Sequence, residues 1–168
     1  MDDRELQIRE AIDEDAGVLI EIYRPFVEEA SVSFETEPPS MAEMAARIRK
    51  AHLWLVAESE GQVVGYAYGG AHRSRAAYRH SVETSIYLHS DVTRRGLGSS
   101  LYGQLLHQLS RLGFCNAFAG TTLPNPASEA FHGAMGFSPI GTFERVGFKF
   151  GRWHDVRWWQ KRLRERPL

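Results

Sequence analysis

From Gly96 to Leu112 the chain sets Leu97, Leu101, Leu105 and Leu109 four residues apart, an apolar stripe along one side of a helix that Gly113 stops. A one-sided helix must be laid against another layer. The segments on either side, Val82–Leu88 and Asn116–Thr121, read as strands. A leucine-faced helix between two short strands therefore predicts a sheet with helices packed on it.

The rest of the chain fits that frame. Gln7–Glu10 reads as a strand, and Asp13 as the cap of a helix running to Ala30 with Val18, Ile22 and Phe26 on one face. Ser31–Pro39 is irregular. Ser40 with Glu43 forms a capping-box pattern that opens a helix through Ala51. Trp54–Glu58 and Gln62–Tyr68 flank Glu60-Gly61, a hairpin signal. Gly69–His80 is turn-rich and carries Arg73, Arg75 and Arg79. Asn125–Met135 reads as a helix, and strands are expected near Ile140–Phe148 and Val156–Lys161. The expected class is a mixed α/β (α+β) sheet flanked by helices, in a single domain over residues 1–168.

Composition narrows the chemistry. The lone cysteine, Cys115, excludes an intrachain disulfide framework and a multi-cysteine zinc site, and reads as a buried apolar residue. His52, His72, His80, His89, His107 and His154 show no two-histidine-plus-carboxylate spacing, so no metal is expected and these are read as structural. No apolar run suits a membrane span, and the start (Met1, Asp2, Asp3) is acidic where a signal peptide is basic, so a soluble cytoplasmic protein is expected.

The net charge of -1 hides a division. Residues 1–60 carry 15 acidic and 6 basic side chains, whereas residues 61–168 carry 6 acidic and 14 basic. The C-terminal part therefore favours an anionic partner. Nucleic acid is one candidate, although no recognition helix with interleaved aromatics is found, and a phosphate-bearing small molecule fits equally well at this level.

Arg94-Arg95-Gly96-Leu97-Gly98-Ser99-Ser100-Leu101 lies where such a molecule could bind, after a strand and at the start of a helix. Glycines let a ligand approach the backbone, and unpaired N–H groups at a helix start attract phosphate oxygens. The pattern lacks the lysine of a phosphate-binding P-loop and the third glycine of a dinucleotide fingerprint. A tight strand-to-helix turn would leave the same sequence.

Context gives the segment meaning. Val82–Leu88, then Arg95-Gly96-Leu97-Gly98, then Leu123-Pro124-Asn125, then Phe131-His132-Gly133-Ala134-Met135-Gly136-Phe137 resembles the GNAT superfamily of acetyl-CoA-dependent N-acetyltransferases over nearly the whole chain. The phosphinothricin and methionine sulfoximine acetyltransferases are more similar still. That likeness rests on Ser33-Phe34-Glu35-Thr36-Glu37-Pro38, on Tyr102, and on the long motif from Val146 to Val156. Arsinothricin acetyltransferases look similar too. One departure is Thr93, where the superfamily usually has Gln or Arg.

The resemblance implies a mostly antiparallel twisted sheet splayed between two strands, with acetyl-CoA in the splay. It places Leu88, Arg94, Arg95, Gly96, Leu97, Gly98, Ser99, Asn125 and Ser128 along the cofactor. It implies an acceptor site at Phe34, Arg73, Arg75, Tyr78 and Ser85, where guanidinium groups would bind the anionic oxygens of an amino acid. It also implies a homodimer, with the aromatic tail (Trp153, Trp158, Trp159) shared between core and interface.

Acetyl transfer to an amine requires a proton acceptor, because aliphatic amines are mostly protonated near neutrality. Between residues 61 and 143 only Glu83, Asp91 and Glu129 are acidic. Alternation puts Glu83 on the opposite face from Val82, Ile86 and Leu88, and partial burial there would raise its pKa. The family assigns the matching glutamate as general base; the plainer reading is a solvated strand residue. His132 and Tyr102 are the alternatives for protonating the departing thiolate, against roles as a surface histidine and a packing tyrosine. The expected function is acetylation of the α-amino group of a glutamate-analogue amino acid, a reaction that detoxifies phosphinothricin. Alternatives are another amine (arsinothricin, a polyamine or a protein N-terminus) and a non-catalytic CoA sensor.

Overall fold

The computed structural model describes residues 6–92 and 96–168. Seven strands form one sheet in the order β1-β2-β3-β4-β5-β7-β6. They are β1 (Leu6–Glu10), β2 (Leu53–Ser59), β3 (Gln62–Ala71), β4 (Ser81–Leu88), β5 (Asn116–Thr122), β6 (Ser138–Lys149) and β7 (Arg152–Arg162). The helices are α1 (Ala16–Glu28), α2 (Met41–Lys50), α3 (Leu97–Arg111) and α4 (Pro126–Ala134).

The leucine stripe behaves as read. Leu97, Leu101, Leu105 and Leu109 are all buried, against Leu53, Leu55, Ala67, Val82 and Ala117 on one face of the sheet. Each fully buried leucine contributes roughly 1.5–3 kcal/mol relative to exposure. The approach is close because β3 supplies a glycine: a Cβ on Gly69 would lie 2.9 Å from Leu109 Cδ1. The other face carries a second core, in which Leu19, Ile22, Tyr23 and Val27 of α1 and Met44 and Ile48 of α2 cover Trp54, Val56 and Tyr66.

The Ser40–Glu43 capping box forms, each side chain bonded to the other's backbone N–H. The expected cap at Asp13 does not. Asp13 sits in a short 3-10 turn and pairs with Arg49, while Asp15 accepts from the Ile12 N–H and from Arg9. The α1 face is also rotated from expectation: Val18 is exposed, and Leu19, Ile20 and Tyr23 go inward. Gly69–Ala71, expected in a turn, continues β3, and the tail strands are longer than read and joined at Phe150-Gly151 into a hairpin.

Every strand pair is antiparallel except β4 with β5. Those two run parallel and pair only at Ser81–Asn116, Val82–Ala117 and Glu83–Phe118. Beyond Glu83 the ladder stops and the strands part. The backbone polar groups that would have bridged them need other partners, which makes the gap a natural place for an amide-bearing ligand.

Candidate active site

The gap between β4 and β5 opens into a cleft of about 510 Å³, within the size range of small-molecule sites. Its walls come from both faces of the sheet. Thr84, Ile86 and Leu88 share the α3 side with Gly98, Phe131 and His132. Ser85 and Tyr87 alternate to the α1 side, where Phe26 and Val32 close the mouth. Gly120 and Thr122 line the opposite strand. The splay is thus a passage through the sheet, with different surroundings at its two ends.

At one end α3 begins. Gly96 is its N-cap with φ +84°, a left-handed conformation that glycine adopts without steric cost. Among the described residues no side chain caps this helix, which leaves its first amides as candidate donors to an anion. Gly98 faces Leu88: a Cβ there would lie 3.4 Å from Leu88 Cδ1, and Phe131 lies 3.6 Å away. Ser99 also lines the cleft. Leu97 differs from the sequence-based expectation: its side chain is 2% exposed and belongs to the core, so only its backbone can meet a ligand. Arg94 and Arg95, like Thr93, lie outside the described residues.

Asn125 caps α4, its Oδ1 accepting from the Ser128 N–H at 3.1 Å. That leaves its amide nitrogen as the donor toward the cleft. One turn on, His132 is 6% exposed and lies against Trp159. Its Nδ1 is 2.8 Å from the Ser128 carbonyl. A carbonyl only accepts, so Nδ1 carries the proton and neutral His132 has a lone pair at Nε2. Burial lowers its proton affinity, favouring that neutral form.

Tyr102 stands behind the cleft wall rather than on it. It is fully buried, and its hydroxyl lies 2.6 Å from Thr84 Oγ1. Thr84 donates to the Phe118 carbonyl at 3.3 Å, so its single hydrogen is used there and Tyr102 donates to Thr84. Burial raises the tyrosine pKa well above 10.0, so the hydroxyl stays protonated.

Glu83 points to the α1 side, as alternation requires, two residues from cleft-lining Ser85. It lines a separate hollow of about 440 Å³ with His72, Arg73, Phe118, Phe143 and Trp158. It is partly buried there, with its side chain 42% exposed. Its partner is His72, whose Nδ1 is 2.9 Å from Glu83 Oε1. Sequence reading placed His72 among the structural histidines. Arg73, Arg75 and Tyr78 line a shallow polar hollow with the same histidine, and neither guanidinium has a carboxylate partner among the described residues. Phe34 lies against Gly147 of β6 and near His154 instead of lining the cleft; Phe26 and Val32 take that place. Among the described residues no cluster of three or more His, Cys, Asp or Glu could hold a metal, and no helix is long and apolar enough to cross a membrane.

Residues 8–158 match the family described as Acetyltransferase (GNAT) domain. The chain belongs to the GNAT family. This GNAT enzyme is 38% identical over 161 residues to the phosphinothricin N-acetyltransferase of Streptomyces viridochromogenes, covering 94% of this chain and 88% of that one. It is 33% identical over 159 residues to the L-methionine sulfoximine/L-methionine sulfone acetyltransferase of Pseudomonas paraeruginosa, covering 89% and 92%. Its fold superposes with a TM-score of 0.91 and 37% identity on a GNAT superfamily phosphinothricin acetyltransferase from Sinorhizobium meliloti in complex with AcCoA, covering 97% of this chain and 93% of that structure. The enzyme is thus a GNAT N-acetyltransferase of the phosphinothricin acetyltransferase-like kind.

Proposed function

We propose that the enzyme acetylates the α-amino group of a glutamate-analogue amino acid, of the phosphinothricin or methionine sulfoximine type, by direct transfer within a ternary complex. The observation that carries this is the two-ended splay. One wall of the splay offers helix amides for a pyrophosphate, and the hollow at Glu83, the residue before cleft-lining Thr84, sets a carboxylate beside guanidinium groups that have no carboxylate partner among the described residues.

The residues present fit acetyl-CoA. Amides at Gly96–Ser99 suit its phosphates, with Arg94 and Arg95 adding charge. The unpaired edge of β4 suits the amides of its pantetheine arm along Leu88, and Asn125 and Ser128 line the far wall. When bound, acetyl-CoA supplies a thioester whose carbonyl carbon is the electrophile. Arg73 and Arg75 hold the acceptor's anionic groups, with Tyr78 and Ser85 around it. Glu83 takes the ammonium proton, through water, so that the nitrogen lone pair is free to attack. A backbone N–H of β4 stabilises the carbonyl oxygen as it gains charge. As the N–C bond forms and the C–S bond breaks, the leaving sulfur needs a proton. Tyr102 supplies it through Thr84, whose hydroxyl turns from the Phe118 carbonyl to give its hydrogen to the sulfur while taking the Tyr102 hydrogen; His132, whose only N–H is held by the Ser128 carbonyl, is the alternative donor.

Cationic acceptors such as polyamines are disfavoured by the arginines. A homodimer is supported by the β6–β7 hairpin, where Ile140, Phe143, Val146, Phe148, Phe150 and Trp153 are each at least half exposed. The proposed setting is a single-domain cytoplasmic enzyme whose product no longer presents an amine, which would confer resistance to an inhibitory glutamate analogue.

A panel assay of CoA thiol release tests this reading. L-phosphinothricin, L-methionine sulfoximine, L-glutamate, spermidine and an alanyl peptide would each be offered with acetyl-CoA. The expected result is turnover confined to the first two or strongly favouring them. Preferred turnover of spermidine or the peptide would contradict it.

A further inference from the structure

We propose that His72 is the positioning residue of the base, holding the Glu83 carboxylate through Nδ1–H so that Oε2 is the oxygen that takes the proton. This rests on the reading of Glu83 as general base. An ionised carboxylate only accepts hydrogen bonds, so at 2.9 Å the proton between the two lies on Nδ1. The Nδ1–H tautomer and the imidazolium both donate from that nitrogen.

The histidine is itself fixed. Its ring stacks on Phe118 of β5 with centroids 4.5 Å apart and planes 19° from parallel. Tyr78 meets it edge-on at 5.6 Å. The His72 side chain is 13% exposed against 42% for Glu83, so a sequestered, stacked ring steadies a more exposed, longer side chain. The charged and titratable groups around it are Glu83 on β4, Tyr78 in the turn, and Arg73 and Arg75 in the intervening segment.

Sheet register makes the meeting obligatory. Gly70 pairs with Glu83 and Ala71 with Val82, so residue 72 lies one step beyond the ladder, diagonal to Glu83 and on the same face. His72 and Arg73 are also shared by the arginine-lined hollow and the Glu83 hollow. The ring thus stands where an acceptor's anion-binding end and its amine end meet.

The test uses the full enzyme and the most rapidly acetylated amino acid of the panel. His72→Phe keeps a flat ring on Phe118 but removes the donor. It should lower kcat about 10- to 100-fold, the size of effect expected when a reacting group loses its alignment. The KM for acetyl-CoA should stay as in the wild type. His72→Asn places an amide N–H near the Nδ1 position and should recover most of the lost kcat. In a Glu83→Gln background, His72→Phe should cost little more. Wild-type kcat in His72→Phe, equal impairment of the Phe and Asn variants, or additive losses in the double variant would each overturn the proposal while leaving Glu83 as base. Wild-type turnover in Glu83→Gln alone would instead remove the base, and this proposal with it.

Discussion

The buried ammonium of Lys149 donates to the Ser33 carbonyl at 2.6 Å, joining residues 116 apart in sequence. The same nitrogen reaches the carbonyls of Val27 and Ala30, so one lysine from β6 satisfies the end of α1 and the loop that follows. Tyr23 and Arg47 hold the next turn of that loop through Glu35. Between these two anchors lie Val32 at the cleft mouth and Phe34.

Replacing Lys149 by Met should therefore strand three carbonyls. Each buried unsatisfied group costs on the order of 1–3 kcal/mol, partly relieved by water. The expected outcome is a lowered Tm together with a raised acceptor KM and an unchanged acetyl-CoA KM. Equal weakening of both substrates would show that the clamp does not act on the acceptor side alone.

Gly96 and Gly98 should separate two effects. Gly96→Ala forces a left-handed residue, a strain of about 1–2 kcal/mol, and misdirects the first amides of α3. Gly98→Ala adds a methyl 3.4 Å from Leu88 in the cleft. Calorimetric titration with acetyl-CoA should show weaker binding for both, and thermal scanning should show the larger stability loss for Gly96→Ala.

Tyr102→Phe removes a buried hydroxyl that donates to Thr84. Stability should fall by about 1 kcal/mol, the usual net value of such a bond. If Tyr102 supplies the thiolate proton, kcat should fall at least about tenfold, a modest share of what a positioned acid contributes. His132→Gln should affect kcat less. The reverse order would reassign the donor to His132.

His132 also makes a prediction about acid stability. Burial holds its pKa below the ordinary 6.5. As pH falls through that value, the unfolded chain takes up a proton that the folded chain refuses, so stability drops with falling pH. The wild type should therefore lose more Tm than His132→Gln between about pH 7.5 and pH 5.5. Parallel curves would mean that the ring protonates equally in both states.

Legibility in the sequence followed distance along the chain. The leucine stripe of α3, the capping box at Ser40 and the alternation of Glu83 against Val82 are local patterns, and each is present in the fold. The cleft is lined by Ser85 and Leu88 of one strand, Gly96, Gly98 and Ser99 at the start of α3, and Asn125, Ser128 and His132 of the α4 segment, because those elements converge there. His72 was not legible, because its meaning depends on the β3–β4 register; an acid and a histidine on neighbouring strands was the available signal. Lys149 was not legible because its three partners are more than a hundred residues away. The α1 face was misread because Val18, Ile22 and Phe26 share a spacing with residues on either side, and packing against β3 and β4 chose among them.

The most direct test of the account is the turnover of Glu83→Gln, measured with acetyl-CoA affinity determined on the same protein. Loss of a general base predicts a fall in kcat of about 10²- to 10⁴-fold with acetyl-CoA affinity within about twofold of wild type. Wild-type turnover from about pH 6 to pH 9, where the amine's protonation changes, would contradict it.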